Sequence, residues 1–154
     1  MDKNHNNKAK YRVFSHVSRE TINDLIFYEK YLLENNNKFN LISKSTEKDI
    51  WNRHFRDSMQ LIDFIDKNCK CLIDLGSGAG FPGLILAIAA KDRRIPIKIK
   101  LIEKSPKKAK FLDEIIKQLN LNVKVLNQNV LEQQNKFISD VFVARAFKPL
   151  KTQW

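Results

Sequence analysis

The sequence predicts an α/β protein in which a parallel, doubly wound sheet follows a smaller all-helical segment. From residue 67 onward, short apolar runs with strand periodicity alternate with segments of helical period, a pattern typical of parallel sheets. Before residue 67, apolar residues recur at helical spacing only. The 154 residues are enough for one domain. We divide the chain into a basic flexible arm (1–17), a helical segment (18–66) and a sheet core (67–154).

The helical segment is predicted to begin at Ser18, because serine is a favoured residue at helix N-termini. An asparagine-rich tract ends this first helix, and a second helical stretch starts near Thr46. Asp57 is a candidate N-cap for a further helical turn. The apolar residues that give the first helix its 3.6-residue period are Ile22, Leu25, Ile26, Leu32 and Leu33.

The sheet core is predicted to contain four strands and two helices. Ser105 and Pro106 are a good N-cap and first residue for the second of these helices. The apolar or alternating character of each strand segment distinguishes it from the helices. The predicted strands are residues 71–75, 97–103, 123–126 and 140–144, and the predicted helices are residues 82–90 and 106–119.

The charge balance points to a polyanionic partner. The chain carries 28 Lys and Arg against 17 Asp and Glu, a net charge of +11, and RNA is the commonest polyanion in a cytosol. Overuse of lysine and asparagine in an AT-rich genome is the alternative explanation. The sequence shows neither a signal peptide nor an apolar run long enough to span a bilayer, and we expect a cytoplasmic protein without a membrane partner. Cys69 and Cys71 are expected to be reduced thiols and not metal ligands.

A glycine-rich turn after the first predicted strand indicates a cofactor site. The pattern D-x-G-x-G-x-G, made of Asp74, Gly76, Gly78 and Gly80, is that of the S-adenosyl-L-methionine site in Rossmann-like methyltransferases. A second register, G-x-G-x-x-G ending at Gly83, matches the dinucleotide fingerprint. A carboxylate near the turn repels a diphosphate but attracts the ammonium group of S-adenosylmethionine. The methyl donor is therefore favoured, with NAD and a tight turn without ligand as alternatives.

Glu103 ends the second predicted strand, where an acidic side chain can accept hydrogen bonds from both hydroxyls of a ribose. This residue is expected for either cofactor, because both contain a ribose. It therefore supports a nucleoside at this edge of the sheet without choosing between the two.

Four segments together resemble the ribosomal RNA small-subunit methyltransferase G family, also called glucose-inhibited division protein B. They read NRHFRDSMQL, IDLGSGAGFPGLILAI, IEKSPKKAKFL and VARAFKPL. The R-H-x-x-D-S element and the Phe-Pro-Gly-Leu continuation are more specific than the glycines. The resemblance implies a class I S-adenosylmethionine-dependent methyltransferase sheet, incomplete at the C-terminus of this chain. It also implies methyl transfer to N7 of a guanosine in 16S ribosomal RNA of the small subunit, by a protein that we expect to be monomeric.

The resemblance also implies functional residues. In the R-H-x-x-D-S element it points to Arg53 and His54 as RNA or substrate residues, and Lys108 matches a basic position after the acidic strand end. Phe147 lies where a platform for the target base would be, although simple core packing is the alternative. Positions implied to contact the cofactor are Gly76, Phe81, Val130, Leu131 and Arg145.

The reaction needs no general base, because guanine N7 has an in-plane lone pair and no proton to lose. Alignment and desolvation are sufficient for such a displacement, and we assign no catalytic acid or base. Residues 129–132 read Asn-Val-Leu-Glu where the family often has Arg-Val-Glu-Glu, and the chain ends before the family's last strands. A methyltransferase with another acceptor and a truncated, non-catalytic RNA-binding protein are therefore kept as alternatives.

Overall fold

A computed structural model of the protein describes residues 14–132 and 137–145. These residues form a four-stranded, all-parallel sheet with the strand order β3-β2-β1-β4. The predicted strands are confirmed, with β2 and β4 slightly shorter than expected. The strands are β1 (Cys71–Leu75), β2 (Lys98–Ile102), β3 (Val123–Leu126) and β4 (Val141–Ala144).

Three regular helices accompany the sheet: α1 (Arg19–Phe39), α2 (Gly83–Asp92) and α3 (Pro106–Leu119). Both predicted serine caps are confirmed. The Ser18 hydroxyl accepts a hydrogen bond from the N–H of Thr21, and the Ser105 hydroxyl accepts one from the N–H of Lys108. Such caps pair backbone donors that have no partner within the helix.

Between α1 and β1 the chain forms an irregular helical stretch whose hydrogen-bonding pattern changes along its length. The prediction that Asp57 caps a helix is wrong: its φ and ψ are −57° and −42°, and its N–H donates to the carbonyl of His54. The helix simply continues through Asp57. The stretch consists of a 3-10 segment (Lys44–Asp49), a π-helical turn (Trp51–Arg56), an α-helical turn (Asp57–Met59) and a second 3-10 segment (Gln60–Phe64).

The helical segment and the sheet core share one hydrophobic core. Helix α1 contacts both α2 and α3, and its first turn is joined to the end of α2 by Asp92, which accepts hydrogen bonds from the Ser18 N–H and the Thr21 hydroxyl. Phe14 is 6% exposed and packs edge-on against Trp51, with 5.4 Å between ring centroids. The structure therefore places the end of the predicted arm in the core, and residues 1–13 lie outside the described residues.

The carboxyl ends of the strands are tied together at one edge of the sheet. The N–H groups of Gly76 and Ser77, just after β1, both donate to the carbonyl of Ile102 at the end of β2. The N–H of Glu103 in turn donates to the carbonyl of Leu126 at the end of β3. Ligands of open parallel sheets bind at this edge. Among the described residues, no helix is long and apolar enough to cross a membrane.

Candidate cofactor and acceptor site

The glycine loop, residues 76–83, connects β1 to α2 in a conformation that side chains would disturb. Gly76, Gly78 and Gly80 all have positive φ angles, of 70°, 54° and 100°. A Cβ atom at Gly80 would collide with the Tyr28 hydroxyl and with Leu84, whereas one at Gly78 would meet only the Gly76 carbonyl oxygen, at 4.0 Å. The loop is therefore tightly packed against the protein at Gly80 and open at Gly78.

Asp74 lies under this loop and caps α2 from within the protein. Its side chain is completely buried, and Oδ2 accepts a hydrogen bond from the N–H of Gly83 at 2.9 Å. Oδ1 has no partner among the described residues. Burial raises the pKa of the Asp74 carboxyl from 3.8 to about 7; the Gly83 bond opposes the rise and the negative charge of Glu103 adds to it. Asp74 thus holds the N-terminus of α2 and the end of the glycine loop in place.

Asparagine at position 74 is expected to change the pH dependence of stability. An acid whose pKa is raised by folding stabilises the native state below its unfolded pKa, and that stabilisation disappears as the pH rises through the folded value. Between pH 4 and pH 8, the unfolding free energy of the wild type should therefore fall by roughly 4 kcal/mol more than that of Asp74→Asn. Urea unfolding of both proteins at the two pH values measures this difference. Parallel pH profiles would show that folding does not raise the pKa of Asp74.

Glu103 lies at the end of β2, as predicted, and two backbone N–H groups donate hydrogen bonds to its carboxylate. Its Oε2 accepts from the N–H of Gly78 at 2.7 Å, and its Oε1 accepts from the N–H of Ser105 at 3.0 Å. The Asn127 amide donates to the Glu103 carbonyl at 2.8 Å. Each carboxylate oxygen can accept a further hydrogen bond. The carboxylate is therefore oriented in advance and still able to accept hydroxyl donors.

The remaining residues predicted near this edge lie at the ends of β2 and β3. Lys108 is half-buried in the first turn of α3. Val130 and Leu131 form a short 3-10 turn after β3, with Val130 half-buried and Leu131 59% exposed. The Leu131 N–H already donates to the side-chain oxygen of Asn129.

His54, Phe81 and Arg145 come together from three distant parts of the sequence. The imidazole of His54 stacks on the Phe81 ring with 4.8 Å between centroids and 6° between planes. The Arg145 guanidinium carbon lies 6.0 Å from the centroid of the same ring, and Nη2 donates to the carbonyl of Arg53 at 2.9 Å. The structure therefore joins the R-H-x-x-D-S element to the glycine loop and to the end of β4. Phe147 lies outside the described residues.

His54 is held as a neutral side chain in this cluster. Burial, and after it the positive charge of Arg145, lower its pKa from 6.5 to about 4. Its Nε2 is 2.9 Å from the Thr46 hydroxyl, while Nδ1 is buried and has no partner within residues 14–132 and 137–145. Nη1 of Arg145 is also buried and unpartnered among the described residues. Buried polar atoms are seldom left unpaired, and these two flank Phe81.

The residues that hold the predicted ones in place were not predicted to do so. Thr46 binds His54, and Ser105 and Asn127 hold Glu103. Tyr28 was also missed, although its spacing of three from Leu25 and four from Leu32 continues the apolar stripe of α1. Helical spacing could have marked Tyr28 as buried, but nothing in the sequence shows which loop its hydroxyl reaches.

A central β1 that leads into a glycine loop, with an acid directly after the neighbouring β2, defines a Rossmann-like sheet with a nucleoside-binding edge. The family model described as rRNA small subunit methyltransferase G matches residues 21–153. The chain therefore belongs to the rRNA small subunit methyltransferase G family.

Relatives with this name are longer than the chain. The protein named ribosomal RNA small subunit methyltransferase G of Pelagibacter ubique is 42% identical over 136 residues, which cover 87% of this chain and 63% of the relative. The protein of the same name in a Jannaschia species is 39% identical over 92% of this chain and 67% of its own length. Among solved structures, an O-methyltransferase from Bacillus cereus in complex with SAH matches at a TM-score of 0.47 and 18% identity, over 68% of this chain and 44% of that one.

Proposed function

We propose that this protein binds S-adenosylmethionine at the glycine loop and transfers its methyl group to N7 of a guanosine in 16S ribosomal RNA. The N7 lone pair forms a bond to the methyl carbon as the carbon–sulfur bond breaks. The sulfonium becomes the neutral thioether of S-adenosylhomocysteine, and the purine takes the positive charge. The family relationship and the names of its relatives support this activity.

The observation that carries the cofactor assignment is the carboxylate inside the N-terminus of α2. Dinucleotide-binding folds place a pyrophosphate against the free N–H groups of this helix end. Here the Gly83 N–H donates to Asp74, and the Leu84 N–H donates to the Gly80 carbonyl. A pyrophosphate would thus meet occupied donors and a buried carboxylate. A ligand with an ammonium group and a ribose, which Glu103 can bind, fits this charge pattern better.

The cluster around Phe81 supports an acceptor site next to the cofactor. Guanine presents its O6 beside N7, and arginine N–H groups are common donors to this edge. Arg145 has an unpartnered Nη1 there, and His54 offers an unpartnered Nδ1. The net charge of +11 favours an RNA acceptor in the cytoplasm. Arg53, exposed on the π-helical turn, and Lys108 are further residues predicted to contact RNA or substrate.

Methylation of 30S subunits with labelled S-adenosylmethionine tests the proposed function. Naked 16S rRNA, free nucleosides and a bulk protein extract are the competing acceptors. We expect label in the 16S rRNA of subunits, on a base that is released as 7-methylguanine. Label only in protein or in nucleosides would overturn the acceptor. RNA binding without any calorimetric response to S-adenosylhomocysteine would instead indicate a non-catalytic RNA-binding protein.

A further inference from the structure

Tyr28 joins helix α1 to the glycine loop. It is completely buried, and its hydroxyl donates a hydrogen bond to the carbonyl of Ala79. Ala79 lies between Gly78 and Gly80, in the middle of the loop. A residue of the N-terminal helical segment therefore fixes the backbone on which the cofactor is proposed to lie.

The Tyr28 ring also packs against Phe81, near the end of the glycine loop. Tyr28 stacks on Phe81, with 5.5 Å between centroids, and on Phe55 of the π-helical turn, with 5.3 Å. Gly80 leaves the space that the hydroxyl occupies, since a Cβ there would collide with it. Tyr28 therefore contacts the loop at two points, through a hydrogen bond at Ala79 and an aromatic contact at Phe81.

The Tyr28 hydroxyl stays protonated, and therefore remains a hydrogen-bond donor, over the whole working pH range. Burial raises the pKa of Tyr28 well above its usual value, and the charge of Asp74 raises this pKa further. Without the hydroxyl, the Ala79 carbonyl would be left unpaired in a buried setting, next to two glycines whose backbone has few steric limits. Loss of this one bond therefore affects the order of the loop more than the stability of α1.

We propose that Tyr28 is a positioning residue for the cofactor: it holds the loop in its binding conformation and makes α1 part of the cofactor site. This inference rests on the proposed function, because the cofactor is the ligand whose affinity the loop conformation controls. A residue remote from the methyl group would then set the affinity for S-adenosylmethionine without touching the reacting atoms.

The test compares Tyr28→Phe with Tyr31→Phe, which removes the same hydroxyl from a position three residues further along α1. Tyr31 stacks on Phe111 of α3, with 5.3 Å between centroids. We expect Tyr28→Phe to bind S-adenosylhomocysteine roughly tenfold more weakly by calorimetry, and Tyr31→Phe to bind as the wild type does. Amide hydrogen exchange without ligand should be faster in Tyr28→Phe for peptides covering residues 76–81, and unchanged within α1.

Each outcome decides one claim. Wild-type affinity and wild-type loop exchange in Tyr28→Phe would overturn the positioning role while leaving the proposed function intact. Faster exchange throughout α1 and the loop together would show a merely structural residue and would also overturn it. A wild type that exchanges slowly at the loop but gives no heat with S-adenosylhomocysteine would overturn the proposed function, and the role of Tyr28 toward that cofactor with it.

Discussion

Replacing Gly80 by alanine is expected to lower the unfolding free energy by about 3 kcal/mol, from backbone strain and overpacking together. Gly80 has a φ of 100°, which L side chains rarely adopt. The new methyl group would also collide with the Tyr28 hydroxyl and with Leu84, both of which lie in the core. Neither neighbour is the free end of a flexible surface side chain, so the loop itself would have to move.

Gly78→Ala is the matched control for this prediction. The methyl group there would enter open space, so only the cost of a positive φ remains, about 1 kcal/mol. Urea unfolding of the wild type and the two variants at one pH measures both values. Equal losses of unfolding free energy in Gly80→Ala and Gly78→Ala would show that the loop does not pack against Tyr28.

Replacing Glu103 by alanine is expected to weaken S-adenosylhomocysteine binding by roughly 100-fold, since hydrogen bonds to a charged acceptor contribute more than neutral ones. The variant loses the proposed acceptor for the ribose hydroxyls. It also loses the group that fixes the N–H of Gly78 and the N–H of Ser105. Calorimetric titration with S-adenosylhomocysteine gives the affinity directly.

Two further variants show whether the charge at this position matters. Glu103→Gln keeps the size of the side chain and one acceptor, so its affinity should lie between those of the wild type and the alanine variant. Glu34→Ala removes an exposed carboxylate from α1 and should bind as the wild type does. Wild-type affinity in both Glu103 variants would exclude a ribose at the end of β2.

The regular elements could be predicted because their signals are local. The alternation of β2, the serine before each of α1 and α3, and the glycines after β1 all lie within a few residues of the structure they specify. The position of Glu103 could also be predicted, because it comes directly after a strand with clear alternation and parallel strands end at one edge of the sheet.

The irregular stretch and the core contacts depend on tertiary packing and could not be predicted. Aspartate is a common N-cap residue, but Asp57 continues a helical stretch. The π-helical turn before it buries His54 and Phe55. Phe14 lies in a polar, basic part of the sequence, yet Trp51 provides an apolar partner for it. In both cases long-range contacts outweigh the local preference.

The candidate site likewise combines features that local sequence signals predict with contacts that only the fold creates. The glycines and Asp74 were found from their spacing, but the burial of Asp74 against Gly83 required the structure. The hydrogen bond from Arg145 to the carbonyl of Arg53 joins residues 92 positions apart. No sequence periodicity reports such a contact, so the meeting of His54 and Arg145 at Phe81 could only be seen in the fold.

Competing calorimetric titrations with S-adenosylhomocysteine and NAD test the central claim, that the loop above Asp74 accepts an adenosyl amino acid and not a dinucleotide. We expect saturable binding of one S-adenosylhomocysteine per chain, unchanged by excess NAD, and no heat from NAD alone. Saturable NAD binding that S-adenosylhomocysteine cannot displace would contradict the account, because it would place a pyrophosphate over a helix end that Asp74 already caps.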